Sequence, residues 1–134
     1  MEVELVKEYH ENGKLEGIGY KNENGKKEGE WKFYHETGEL YVTGYYVDGK
    51  KHGEFKDYYT DGTLECIGVY NHGYKVGEWK IFYSNGNLEI LTNYDNEGNM
   101  EDMTFYDEDG EFWRRQDYKN ETLKLRNGTV LKQG

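Results

Sequence analysis

Catalysis needs a nucleophile, an acid–base pair or a bound metal, and this chain supplies few of the side chains that make them. Ser84 is the only serine, and it sits in the turn-like string Tyr83-Ser84-Asn85-Gly86 with no base at an informative spacing. Cys66 is the only cysteine, which excludes an internal disulfide and a cysteine-based zinc cluster. Its strand neighbours read it as a small, half-buried hydrophobe. The histidines are His10, His35, His52 and His72. His10 and His35 hold equivalent positions in adjacent repeats, so they lie two strands apart, roughly 10 Å, too far to share a metal.

The remaining candidate chemistry is acidic. Residues 95–111 hold Asp95, Glu97, Glu101, Asp102, Asp107, Glu108, Asp109 and Glu111 with no lysine or arginine between them. The string Asp107-Glu108-Asp109-Gly110 suggests a calcium loop, but an EF-hand needs glycine sixth and glutamate twelfth, and Gly110 is fourth. Two readings of the run stay open: a solvated turn face, or a patch that docks a partner. The sequence therefore points to no catalytic residue, no metal and no cofactor. An unrecognised carboxylate site is the weakest reading.

What positions these side chains is a repeat. The phrase "GEWKIFYSNGNLEI" at 77–90 echoes "GEWKFYHETGEL" at 29–40 and "GEFKDYYTDGTL" at 53–64. Aligned on a turn glycine at Gly13, Gly38, Gly62, Gly86 and Gly110, the copies span 5–29, 30–53, 54–77, 78–101 and 102–125. A shortened terminal hairpin around Gly128 follows to residue 134. Self-similarity at this period marks a repeat architecture. X-Gly between two β-prone runs is a hairpin signal, and the recurrent glycines exclude a helix.

The hairpin register has two alternatives. A two-residue turn puts Trp31 opposite Gly44, so that its ring covers that glycine. A turn with a glycine bulge puts Tyr34 opposite Leu40. Thr37 tolerates positive φ poorly, which favours the bulge. The predicted fold is all-β: tandem hairpins in an elongated, twisted antiparallel meander of ten or eleven strands. It is a single-layer open sheet and one domain over 1–134.

The strings "GEWKIFYSNGNLEI" and "VTGYYVDGKKHGEFKDYYTDGTLE" resemble the MORN-variant repeat of bacterial proteins, over nearly the whole chain. Copies four and five depart from it, with Thr92 and Gln116 in place of the glycine at Gly19, Gly44 and Gly68. Bacterial proteins built only of such repeats are commonly labelled YwqK-type antitoxins. The resemblance implies a β-hairpin scaffold that binds something and implies no enzymatic activity.

Composition narrows the partner. Hydrophobic residues are 34% of the 134 and charged residues 33%, values that border on disorder, but aromatics reach 16%, which disordered chains lack. Proline and alanine are absent and lysine, asparagine and tyrosine abundant, a bias that fits a low-GC bacterium. Residues 1–113 carry 11 Lys/Arg against 25 Asp/Glu, and residues 114–134 carry six against two, so −14 and +4 give the net −10. An acidic body disfavours nucleic acid and anionic membranes, and favours a basic protein partner.

No apolar run approaches the roughly 18 residues that span a bilayer. The opening "MEVELVKEYH" has no signal-peptide pattern, so the expectation is a cytoplasmic protein, secreted or lipid-anchored only if a leader precedes this segment.

The sequence thus predicts a non-catalytic protein-interaction scaffold, with an antitoxin-like binder of a basic protein as its specific form, that is monomeric or self-associates weakly through its sheet edges. The other class is a structural repeat that assembles only with itself. The candidate partner-binding residues are Trp31, Tyr34, Tyr58, Trp79, Asp107, Glu108 and Asp109.

Overall fold

The computed structural model describes residues 2–132. Its strands are β1 (Val3–Tyr9), β2 (Leu15–Asn22), β3 (Lys27–Tyr34), β4 (Leu40–Val47), β5 (Lys50–Lys51), β6 (Gly53–Tyr58) and β7 (Leu64–Asn71), then β8 (Tyr74–Phe82), β9 (Leu88–Tyr94), β10 (Met100–Tyr106), β11 (Phe112–Asp117), β12 (Thr122–Leu125) and β13 (Val130–Lys132). They form one antiparallel meander in chain order, with β5 pairing off the path with β4. There are 13 strands rather than ten or eleven, because the terminal hairpin around Gly128 forms β12 and β13 and the turn after Val47 adds the two-residue β5. At about 4.8 Å per strand the sheet is roughly 60 Å long.

Each copy makes its first turn in one way. The His35 amide donates to Glu39 O at 2.8 Å and the Gly38 amide to His35 O at 2.9 Å. Gly38 is at φ +107° while Thr37 stays at negative φ. This is the bulged turn that Thr37 favours. Trp31 faces Gly44 and Tyr34 faces Leu40 in the same hairpin. The two registers offered as alternatives coexist, because a bulge at Tyr41 lies between them. The same shift recurs at Tyr9, Tyr58, Phe82 and Tyr106.

The second turn is tighter in copies two and three. Asp48-Gly49 and His72-Gly73 both have positive φ and close two-residue turns, with Val47 facing Lys50 and Asn71 facing Tyr74. Asn, Asp and Gly lead at such positions.

The third glycine of each copy explains how copies join. Between β7 and β8, Ile67 faces Lys80 and Val69 faces Val76, so Gly68 stands against the three residues 77–79. Between β2 and β3, Gly19 likewise stands against 29–31. The surplus residues bulge outward from a glycine at positive φ, Gly77 at +67° and Gly29 at +83°. Where the fourth copy has Glu101 instead of glycine, the surplus falls to one residue, between Met100 and Asp102.

Gly62 tests the turn geometry, since it sits at φ +89° with open space around it. Gly62→Val should therefore destabilise through backbone strain alone, by more than about 1 kcal/mol. Urea unfolding measures the loss, and an unchanged midpoint would contradict the assigned turn.

Candidate functional site

One face of the sheet is closed by its own side chains. Trp31 is 0% exposed, Phe55 4% and Trp79 7%. Each ring lies over a glycine of the preceding copy: a Cβ on Gly19 would come within 2.2 Å of the Trp31 ring, on Gly44 within 2.2 Å of Phe55, and on Gly68 within 2.0 Å of Trp79. The indole N–H groups fix the direction of lean. Trp31 Nε1 donates to Tyr20 O at 2.8 Å and Trp79 Nε1 to Val69 O at 3.1 Å. Trp31 therefore covers Gly19, not the Gly44 it faces by register. The glycine bulge carries the ring back onto the earlier copy.

Tyrosines and lysines complete the ladder. Tyr46, Phe55, Tyr70 and Trp79 meet edge to face at centroid distances of 5.5, 5.0 and 4.9 Å, the geometry aromatic quadrupoles favour. Lys27 lies over Trp31 and Tyr46, Lys51 over Phe55 and Tyr70, and Lys75 over Trp79 and Tyr94, all at 4.9–5.8 Å. Their stems shield the rings while the ammonium groups stay wet.

The turns line two long edges, and the two differ. The edge of first turns carries exposed Glu11, Glu36, Glu39, Asp61, Glu108, Asp109 and Glu111, with Lys14 the only lysine or arginine in those turns. It is laced between copies one and two, three and four, and four and five. His10 Nε2 is 2.8 Å from Tyr34 O, and the Tyr83 hydroxyl donates to Tyr106 O at 2.7 Å. Asn12 and Asn85 donate to Glu36 O and Glu108 O. His35 holds the same position as His10, but its Nε2 is buried without a partner. Along the opposite edge, the first three copies place Lys26, Lys50, Lys51 and Lys75 among Glu23 and Asp48.

The acidic run 95–111 does not form one patch. The turn 95–99 lies on the lysine-bearing edge and the turn 107–111 on the other, with β10 between them. Asp95 and Asp107 are turn caps. Asp107 accepts the amides of Asp109 and Glu111, and these bonds hold its carboxyl below the ordinary value, helped by Arg126. Bonds from the Asn99 and Glu97 amides do the same for Asp95. The basic C-terminal segment answers much of the rest: Asp102–Arg115 at 3.1 Å, Glu101–Lys119 at 3.8 Å and Asp107–Arg126 at 2.7 Å.

The seven candidate residues thus fall in three places. Trp31 and Trp79 are core rings, which leaves a partner no ring face to touch. Tyr34 and Tyr58 project from the opposite face, beside Leu40 and Leu64. Asp107 is held in its turn, while Glu108 and Asp109 stand free in solvent on the acidic edge. Sequence reasoning missed the pairing of His52 with His72, whose rings lie 4.6 Å apart. His52 Nδ1 accepts the His72 amide at 3.2 Å, as Glu28 accepts the Asp48 amide one copy earlier, so the pair caps a turn. Among the described residues no group of three or more His, Cys, Asp or Glu could hold a metal ion. Among the same residues no helix is long and apolar enough to cross a membrane.

This arrangement of hairpins matches a described family. The profile of the MORN repeat variant fits residues 5–20, 27–48, 51–72 and 75–96, more than half of the chain. The chain belongs to the MORN repeat variant family. The matched units are copies one to four, and the fifth lies outside them. No curated protein matches the chain.

Among solved structures it is similar to an S. aureus TarM mutant in complex with Fondaparinux, alpha-GlcNAc-glycerol and UDP, at 8% identity and TM-score 0.48 over 96% of this chain and 21% of that one. TarM itself gives 10% identity and TM-score 0.44, again over 96% and 21%. A GtfA/B complex bound to UDP and GlcNAc gives 14% and 0.31, over 76% and 21%. The chain spans about a fifth of those proteins, and likeness at this level says nothing of activity.

This MORN variant carries a carboxyl on its ring face at Asp57, as the first copy does with Glu8 at the equivalent position. Asp57 stands where sister copies have Phe33, Ile81 and Phe105, facing Val42 and Cys66. Burial raises its pKa, against the pull of Lys51 and Lys75. Burial likewise pushes the Cys66 thiol up to about 11, so the thiolate is scarce and Cys66 is a packing residue.

A carboxyl whose folded pKa lies above its unfolded one binds its proton better when folded. Its stability contribution is therefore lost as pH rises from the ordinary carboxylate value through the raised one. Asp57→Ile should stabilise the protein by about 1 kcal/mol at pH 7, and the gain over the parent should shrink as pH falls to 4. Urea unfolding at the two pH values checks this, and a destabilised variant at pH 7 would contradict it.

Proposed function

We propose that this protein is a non-catalytic interaction scaffold that binds a basic protein along its acidic turn edge. The observation that carries the reading is that edge itself. Four hairpin turns bring Glu11, Glu36, Asp61, Glu108 and Asp109 onto one line, although they are spread over nearly a hundred residues of sequence. Side-chain bonds tie the first turn to the second copy and the third and fourth turns to the copies that follow them, and the continuous sheet holds the carboxylates at fixed spacing. A partner with matching lysines or arginines gains several contacts without ordering the scaffold first. Repeats of this type are interaction motifs. The antitoxin-like role, holding a basic toxin, is the specific form of the proposal. The C-terminal cations neutralise Asp102 and Asp107 internally, so the docking charges are the turn-tip groups rather than the run 95–111 as a whole.

Replacing Glu36, Asp61, Glu108 and Asp109 by Gln or Asn should slow association with the natural partner at least tenfold at low salt. Rim charges act mainly on the on-rate, and the difference should fade as salt shortens the screening length to about 8 Å. Surface-binding kinetics with the partner captured from the native host measures this at two salt concentrations. An unchanged on-rate at low salt would remove the acidic edge as the docking site.

A further inference from the structure

The face opposite the ring ladder carries a pattern that the acidic edge does not use. Cross-strand pairing sets Glu30 beside Tyr45 and Lys32 beside Thr43. It sets Glu54 beside Val69 and Lys56 beside Ile67, and Glu78 beside Asn93 and Lys80 beside Leu91. Two rows therefore run along the sheet. One carries the pairs Glu30–Tyr45, Glu54–Val69 and Glu78–Asn93, offset at the bulged junctions where Val69 faces Val76 and the His52 amide donates to Tyr45 O, and the other runs Lys32, Thr43, Lys56, Ile67, Lys80, Leu91 without a break. The rows lie about 7 Å apart and advance about 4.8 Å per strand.

These side chains are available. Tyr45 is 47% exposed and Val69 42%, and on the first two strands of the same face the paired Leu5 and Tyr20 are 53% and 44% exposed. The glutamates and lysines of each strand approach one another at 3.9, 3.5 and 3.2 Å. These are solvent-exposed pairs worth little to stability, so exchanging them for intermolecular pairs costs little.

We propose that this face docks a second copy of the chain, face to face, about a two-fold axis that runs along the sheet between the rows. Such an axis lays the glutamate row of each copy over the lysine row of the other. Glu30, Glu54 and Glu78 meet the lysines of their own repeat in the second copy, and Tyr45 and Val69 meet the threonine and isoleucine steps. The match is in register at every repeat because both rows share one period. A partner of a single sign would meet like charge in one of the two rows. The contact is isologous and closes as a dimer, with sheets about 10 Å apart. The same axis places the acidic turn edge of each copy at the rim beside the lysine-bearing edge of the other, and physiological salt screens the repulsion between two chains of net charge −10.

The test is sedimentation velocity at physiological salt over a concentration series, with two charge-reversed chains. One carries E54K and E78K, the other K56E and K80E. The parent should dimerise. Each variant alone should weaken dimerisation at least tenfold, since like rows then face each other. An equimolar mixture should recover a one-to-one complex, because over the third and fourth repeats a lysine-only face then meets a glutamate-only face, while Glu30 and Lys32 keep their parental match. The exposed positions leave the core untouched, and the mixed complex itself reports that both variants are folded. A parent that stays monomeric, variants that dimerise as well as the parent, or a mixture that forms no complex would each overturn the proposal.

Discussion

Everything in this sheet depends on a ring lying flat on a glycine. A single antiparallel layer has no second layer to bury its apolar face against, and isolated hairpins are marginal in water. Here each copy covers the one before it. Trp31, Phe55 and Trp79 occupy the space that a Cβ at Gly19, Gly44 or Gly68 would need. The outward bulge at Gly29, Gly53 and Gly77 brings each ring back across the junction. Lysine stems then close the ladder from above. The sheet is thus its own core, built one junction at a time, as expected of a linear repeat.

The junction rule also accounts for where the repeat decays. Copy four has Thr92 in place of the slot glycine, and copy five has Met103 in place of the ring. Those two residues face each other directly across the ladder. Loss of the slot and loss of the ring occur together, since either change alone leaves a clash or a gap. The bulge shrinks at the same junction, because Glu101 replaces the glycine that allowed it.

Much of the fold was legible in the sequence. The period and the turn glycines follow from spacing and residue type, whereas the pairs at Trp31 and Tyr34 were legible only as alternatives, which the bulge lets coexist. The lean of the ring was not legible from one hairpin, because it arises between copies. The paired loss at Thr92 and Met103 was the available signal. The acidic run was misleading for a different reason. Neighbours in sequence were read as neighbours in space, yet β10 carries the chain from one edge to the other between Asn99 and Asp107. The charges that do gather, Glu36 with Asp61 and Glu108, are one repeat or more apart in sequence. The partners of the remaining acids, such as Arg126 for Asp107, come from a terminal hairpin that only folding brings near.

Closing one face with its own rings leaves the other face and two edges for contact with other molecules. Rigidity comes from the junctions and recognition from what the turns and the open face display, so the junction is the central claim. A double-mutant cycle on Gly68→Thr and Trp79→Met, read by urea unfolding, tests it most directly. Gly68→Thr alone should cost about 1–3 kcal/mol by overpacking, and Trp79→Met alone about 2–4 kcal/mol through the emptied slot. Together they imitate the natural Thr92–Met103 junction, so the double variant should be more stable than the sum of the single losses by at least about 1 kcal/mol. Losses that simply add, to within about 0.5 kcal/mol, would contradict the account.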